Sequence, residues 1–203
     1  MAAETSRRTL QYYEGNANEF WRGTRCHSVT QNVDALLSAI EGSGPFRILD
    51  FGCGPGRDLA EFRRRRHDAV GLDGCASFVK MAREYSGADV WEQDFLELAL
   101  PGAEFDGIFA NASLFHVPSD ALPRVLGELR DALKPRGVLF CSNPRGIDEE
   151  GWSGDRYGCY FEINRWRQLI STAGFAEIDH YYRPAGLPRY EQPWLAMLWR
   201  KLG

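Results

Sequence analysis

The run Arg47-Ile48-Leu49-Asp50-Phe51-Gly52-Cys53-Gly54-Pro55-Gly56 takes a short apolar strand into a turn with glycines at alternate positions. Glycine permits positive φ and puts no Cβ between the main chain and a ligand, so the turn suits close approach by a nucleotide-like molecule. The dinucleotide fingerprint needs a third glycine, or an alanine, three residues after the second. Counted from Gly52 and Gly54 that position is Arg57; counted from Gly54 and Gly56 it is Leu59. Neither suits a pyrophosphate turn, which disfavours a nicotinamide oxidoreductase.

The elements that must hold this turn alternate between strand and helix. Leu59 and Phe62 mark a short helix after it, and Ala69-Val70-Gly71-Leu72-Asp73 is a second strand ending in an acid. Phe78, Met81 and Ala82 predict a helix, Asp89-Val90-Trp91 a third strand, and Phe105 to Ala110 a fourth. Leu122, Val125, Leu126, Leu129 and Leu133 share one helical face, with Ser119 or Asp120 as cap and Pro135 as stop. Gly137 to Cys141 is a fifth strand, followed by a polar, glycine-rich stretch from Ser142 to Gly158 without clear periodicity. Trp166, Leu169, Ile170 and Ala173 give a helix closed by Gly174, before apolar strands at 175–182 and 194–200. Such alternation implies a parallel sheet covered on both faces. The last two strands, joined by a Pro-rich connection too short for a helical crossover, should pair antiparallel. The expected fold class is α/β: a doubly wound, seven-stranded, mostly parallel sheet with the last strand antiparallel and helices on both faces. Ahead of it, Val33, Leu36, Leu37 and Ile40 predict a packing helix. Tyr12, Tyr13, Phe20 and Trp21, among polar residues, read as a lid laid over the cofactor end of the sheet.

Across about residues 45–141 the chain resembles the core of the class I S-adenosylmethionine (SAM) methyltransferases. It is most like the small-molecule branch that includes the ubiquinone-biosynthesis methyltransferases. Asp50 to Gly56 match the first motif, and Asp73, 21 residues beyond Gly52, matches the acid at the end of the second strand. Gln93-Asp94-Phe95 follows the third strand, and Leu133-Lys134-Pro135-Arg136-Gly137-Val138-Leu139 matches the turn before the fifth. The resemblance implies a Rossmann-like methyltransferase fold, SAM as cofactor and S-adenosylhomocysteine (SAH) as product. It implies a glycine turn under the methionine part, Asp73 accepting both ribose hydroxyls, and Asp94 taking the adenine amino group while Phe95 packs on the ring. The implied cofactor-binding set is Asp50, Gly52, Gly54, Gly56, Arg57, Asp73, Gly74, Asp94, Phe95 and Asn111, with Tyr13 and Trp21 closing from the lid. Residues 1–203 would then be one domain: a helical lid at 1–44, a SAM-binding core at 45–141, and an acceptor loop with C-terminal strands at 142–203.

Asn111-Ala112-Ser113-Leu114-Phe115-His116-Val117 follows the fourth strand, at the carboxyl edge where doubly wound folds bind ligands. It lacks the Asn-Pro-Pro-Tyr of family members that methylate adenine or glutamine amides, and the Pro-Cys pair of cytosine C5 methylation. If the acceptor must lose a proton, His116 is the candidate base, since a neutral imidazole can take one. A histidine hydrogen-bonded to backbone at a helix entry is the other reading. Asn143, Arg145, Arg156 and Tyr157 join His116 as candidate acceptor-binding residues, and an arginine there would suit an anion. Alternatively, they fasten a long surface loop. The expected function is in-line methyl transfer from SAM to an oxygen or nitrogen of a small polar molecule. The rival is a sensor or scaffold that holds SAM or SAH without turning it over.

A length of 203 residues fits one domain burying roughly 70% of its unfolded surface. No apolar run approaches the ~20 residues that span a bilayer, and Met1 to Arg8 lack the apolar segment of a signal peptide, so a cytoplasmic location is expected. Five cysteines, at 26, 53, 75, 141 and 159, show no paired spacing of a zinc or redox site, so reduced thiols and no metal are expected. Cys53 reads as a small residue in a tight turn rather than a nucleophile. A net charge of −4 argues against a nucleic-acid partner, and Arg63 to Arg66 read as the exposed end of a helix. The expected partner is a small-molecule methyl acceptor, with no nucleic acid or membrane, on a monomer or homodimer.

Overall fold

The computed structural model describes residues 2–203; Met1, the first residue of the stretch read above for a leader, lies outside them. Seven strands form one sheet in the order β3-β2-β1-β4-β5-β9-β8. They are β1 (Arg47–Phe51), β2 (Asp68–Asp73), β3 (Val90–Glu92), β4 (Phe105–Asn111), β5 (Leu133–Pro144), β8 (Phe175–Arg183) and β9 (Trp194–Lys201). Only β9 runs antiparallel to its neighbours, inserted between β5 and β8. The chain order reverses between β1 and β4, which pair in parallel, and a crevice opens beyond their carboxyl ends.

Both sheet faces are covered because the central strands are apolar on both sides. Leu49 and Phe51 face one cluster, built with α5 (Leu122–Ala132) and α6 (Ile163–Thr172). Ile48, Phe109 and Phe140 face the other, built with α2 (Thr30–Ala39), α3 (Arg57–Arg64) and α4 (Ala76–Ser86). Five of these side chains exclude solvent completely: Ile48, Leu49, Phe51, Phe109 and Phe140 are each 0% exposed. At about 1.5–3 kcal/mol per buried large apolar side chain, this double layer is what holds the crevice rim in place.

A third, smaller cluster attaches α1 (Ala2–Thr24) across the carboxyl edge of the sheet. Leu10, Tyr13, Ala17 and Phe20 recur at three- and four-residue spacing and pack on Cys75 and Phe78 at the start of α4. The lid expected from the aromatics corresponds to this helix, Ala2–Thr24, within the expected 1–44. Glu4 in its first turn and Arg22 in its last favour the helix dipole.

Three boundaries depart from the sequence expectations. The stretch 142–158 is not irregular: β6 (Glu149–Ser153) and β7 (Arg156–Tyr160) form a separate antiparallel hairpin. Its pattern hides because the hairpin leans on the lid and on the segment after β4 instead of on a periodic core face. The expected caps of α5 are absent: Ala121 precedes the helix without a side-chain cap, and Ser119 Oγ donates to Glu150 instead. Leu133 belongs to β5, pairing with Phe105, so the helix stops before Pro135 is reached.

Candidate functional site

A cleft of about 660 Å³, counting its open mouth, lies where α1 crosses the carboxyl ends of β1, β2 and β4. Its floor is the glycine turn. Gly52, at φ +76°, backs onto Ser113, whose hydroxyl donates to the Phe51 carbonyl at 2.6 Å; a Cβ on Gly52 would overlap that side chain. Gly54, at φ +52°, differs, because a Cβ there would meet nothing nearer than Phe20 at 3.8 Å. The space beside Gly54 is thus open main-chain surface that a ligand can occupy.

Two carboxylates face this floor. Asp73 ends β2 and is 8% exposed; it accepts N–H bonds from Gly54 and Cys75, both at 2.9 Å. Burial raises its carboxyl to about 6 despite those donors. Asp94, just past β3, accepts from the Leu96 N–H at 2.8 Å and from Ser6 Oγ of α1 at 2.8 and 2.7 Å. Phe95 stacks on Phe51 with ring centroids 4.2 Å apart and lines the cleft.

The opposite wall carries His116, at the end of the short helical turn Leu114–His116. Its Nδ1 lies 2.6 Å from the Tyr157 carbonyl, which accepts only, so Nδ1 holds the proton and Nε2 is an acceptor. Tyr13 donates its hydroxyl to that Nε2 at 2.8 Å. Burial lowers His116 to about 4 and raises Tyr13 to about 12, so both are neutral near pH 7. Ala112 turns the chain between β4 and His116 at φ +62°, held by its N–H on the Ser142 carbonyl.

The cleft therefore gathers Tyr13, Gly52, Gly54, Asp73, Gly74, Asp94, Phe95 and His116 of the expected residues. The others are not among the residues lining the cleft. Asp50 is 2% exposed beneath the turn, its carboxyl pushed well up by burial, with one oxygen unpartnered in the protein. Gly56 packs against the Ala82 backbone, where it lets α3 and α4 approach. Arg57 pairs with Asp58 at 2.6 Å and donates to the Thr24 carbonyl at the end of α1. Asn111 donates to Asp58 and accepts from Asn32, which in turn accepts from the Tyr181 hydroxyl, so its side chain is committed to scaffolding. Trp21 lies edge-on to Tyr85, with ring centroids 4.8 Å apart.

Of the expected acceptor residues, Asn143 is fully buried, and Arg145 holds the carbonyls of Arg189 and Gln192. Tyr157 contributes its carbonyl to His116 while its ring packs on Trp152. Arg156 lies over the Tyr12 ring at 5.3 Å, near enough for its charge to act on Tyr13 and His116. The loop-fastening alternative describes Arg145 and Tyr157. Residues not anticipated are Ser6, Thr9, Leu10, Phe78 and Leu96, together with Ala112, Ser113 and Val117. The signal for the first three was the helical spacing 6, 9/10, 13, 17, 20, which continues the lid face back towards the amino terminus. Cys53 is buried with a raised thiol, as a packing residue is. Among the described residues no cluster of ligating side chains could hold a metal, and no helix is long and apolar enough to cross a membrane.

Comparison with known proteins gives the same picture. Residues 48–137 match the model of a methyltransferase domain family. A trans-aconitate 2-methyltransferase of Azoarcus sp. (strain BH72) is 36% identical over 122 residues, covering 59% of this chain and 47% of that protein. One from Rhodopseudomonas palustris (strain BisA53) is 33% identical over 150 residues, covering 71% and 56%. The chain thus spans about half the length of these curated relatives. Among solved structures, a Burkholderia thailandensis 1,6-didemethyltoxoflavin-N1-methyltransferase, with that compound and SAH bound, superposes with a TM-score of 0.80 at 21% identity, covering 100% of this chain and 91% of the other. The class is therefore that of the class I SAM-dependent methyltransferase fold. Within it, the stretch that matches the methyltransferase domain model spans the central strands and the glycine turn.

Proposed function

We propose that this chain is a SAM-dependent methyltransferase acting on an oxygen or nitrogen of a small molecule by in-line displacement. The observation that carries the proposal is one cleft presenting bare glycine main chain, two carboxylates from successive strand ends and a neutral imidazole. Those groups fit the cofactor. Asp73, fixed by two backbone N–H groups, has lone pairs left for the two ribose hydroxyls. Asp94 exchanges its Ser6 contact for the adenine amino group beside Phe95, and Gly54 leaves room for the methionine part. Gly52 and Gly54 replace the phosphate-binding logic of a dinucleotide turn with plain steric clearance.

When bound, SAM supplies an electrophilic methyl whose sulfonium charge vanishes as transfer proceeds. The chain's own work is then orientation and exclusion of water, the effects that dominate such displacements. Tyr13, Phe20 and His116 close the acceptor side, and His116 Nε2 is the one uncharged nitrogen base on the cleft wall. The five free cysteines support a reducing compartment, the cytoplasm, and a net charge of −4 supports a small-molecule rather than nucleic-acid partner.

Calorimetric titration with SAH and NAD side by side tests the cofactor, with SAH alone expected to bind. Incubation of cell metabolites with deuterated-methyl SAM then tests turnover. A product shifted in mass by three deuteriums is expected. SAH binding without any labelled product would make the chain a cofactor-holding protein instead.

A further inference from the structure

The lid helix and the hairpin β6–β7 are tied together on either side of one residue. The Tyr157 N–H donates to Thr9 Oγ1 at 3.1 Å, and Asp155 pairs with Arg8 at 2.6 Å. Between them in sequence stands Arg156, half-buried at the start of β7, with no ion pair and no carbonyl partner among the described residues. Other half-buried arginines are engaged: Arg57 with Asp58, Arg65 with Asp34, and Arg145 and Arg183 with backbone carbonyls. The acids of the hairpin nearest to it are taken as well, Asp155 by Arg8 and Glu150 by the Ser119 N–H and hydroxyl at 3.0 and 2.7 Å. What surrounds the guanidinium is phenolic. It lies 5.3 Å from the centre of the Tyr12 ring, and the titratable groups that act on it are Tyr13, Tyr12 and Tyr160, with no carboxylate among them. Arg156, Gly158 and Tyr160 share one face of β7, and the bare Gly158 lets Tyr160 fold back: a Cβ there would stand 2.9 Å from the Tyr160 hydroxyl. A cation drawn partly out of water without a counter-charge is costly, and an anion brought by a ligand removes that cost.

Resting on the methyltransferase reading above, we infer that Arg156 is a carboxylate-binding residue of this cleft, gripping an anionic end of a bound ligand beside the Tyr13 hydroxyl. Tyr13 and His116, on which its charge acts, both line the cleft. No lysine or arginine lines that cleft among the described residues, so Arg156, just behind this pair, is the cation that a ligand there can recruit. With no ion pair to break, its side chain can turn its fork to the cleft side of Tyr13. A guanidinium meets a carboxylate through two parallel N–H bonds, which is the geometry that an ammonium lacks. Two ligands of a methyltransferase can bring such a group: the amino-acid end of the cofactor and an acidic acceptor. The chemistry at Arg156 is the same for both.

The test is calorimetry on the full chain near neutral pH, with the wild type, Arg156→Gln and Arg156→Lys. SAH is titrated beside methylthioadenosine, which keeps the nucleoside and the thioether but lacks the amino-acid end. Benzoate, succinate and trans-aconitate are then titrated separately into the SAH complex. If the cofactor supplies the carboxylate, Arg156→Gln weakens SAH about tenfold or more and leaves methylthioadenosine within about twofold. If the acceptor supplies it, both nucleosides bind unchanged and the best-bound of the three acids is weakened about tenfold or more. In either case Arg156→Lys recovers part of the loss, because it restores the charge without the fork. SAH unchanged with no acid weakened overturns the inference. So does a parallel fall of SAH and methylthioadenosine, which is the mark of a residue that only holds the fold. Failure of the wild type to bind SAH would instead overturn the functional proposal.

Discussion

Tyr13 and His116, 103 residues apart in the chain, share a 2.8 Å hydrogen bond that joins the lid helix to the segment after β4. With Nδ1 tied to the Tyr157 carbonyl, this bond points the basic nitrogen of His116 at the acceptor side of the cleft. Tyr13→Phe should leave SAH affinity within about twofold and lower kcat about tenfold to a hundredfold. His116→Asn keeps a donor for the Tyr157 carbonyl but loses the base nitrogen, and should lower kcat more than SAH affinity. Steady-state kinetics beside calorimetry separates the two effects, and loss of SAH binding in either variant would argue for a purely structural pair.

Acid should act on binding and on turnover at different points. Asp73 gives up its proton near 6 in the folded chain, and the ribose hydroxyls need the ionised form as acceptor. SAH affinity should therefore fall by about tenfold per pH unit below 6 and stay flat above it. His116 is protonated only near 4, so kcat should hold constant across about pH 6–9 and fall only in stronger acid. A kcat that fell between pH 7 and 6 would contradict the buried, neutral imidazole.

The same two groups push stability in opposite directions. His116 has its folded value lowered from 6.5 to about 4, so between those values the unfolded chain binds the proton and stability is lost as pH falls, by up to about 3 kcal/mol. Asp73 has its folded value raised from 3.8 to about 6, so the folded chain holds the extra proton and stability is gained as pH falls through that window, by a similar amount. Asp50, also raised by burial, and the other shifted carboxyls are common to the wild type and a His116 variant, so the difference between the two proteins isolates the imidazole. His116→Asn should become the more stable of the pair between about pH 6 and 4, as read from denaturant midpoints; parallel midpoints would remove His116 as a buried neutral group.

Ser6 competes with the ligand expected at Asp94. Its hydroxyl donates to both Asp94 oxygens, which the adenine amino group would take over. Ser6→Ala should tighten SAH binding a few-fold by removing a contact that must be broken, worth about 1 kcal/mol, while Asp94→Ala should weaken it at least tenfold. Equal effects in the same direction would show that the serine helps hold the ligand.

The two glycines of the turn should fail in different ways. Gly52→Ala forces a Cβ into Ser113 at positive φ and should cost about 2–5 kcal/mol of fold stability. Gly54→Ala meets open space, so it should cost only about 1–2 kcal/mol of stability yet cut SAH affinity sharply, because its methyl enters the cleft. Thermal melts with and without SAH distinguish these outcomes.

Much of the scaffold is legible in the chain because it is written locally. The strand Arg47–Phe51, its glycine turn and the acid ending the next strand, Asp73, each follow from neighbouring residues, through strand patterning and the backbone freedom of glycine, whereas Asp94 is reached only through the resemblance to the methyltransferase family. The antiparallel last strand also follows locally, since the link from β8 to β9 is too short to cross over. The hairpin β6–β7 escapes this logic. Its burial depends on contacts with α1 and the Leu114–His116 turn, which no local window contains.

Local patterning along the chain carries the alternating α/β layers, the ligand-accepting turn and the acid at the end of β2, since each needs only residues close in sequence. Tertiary structure alone decided which side chains reach the ligand. Ser6 meets Asp94 across 88 residues, while Arg57 and Asn111, adjacent to the motifs, turn away to bind Asp58. A side chain's neighbours along the chain set its backbone, but its direction is chosen by whichever distant partner satisfies its hydrogen bonds once water is excluded.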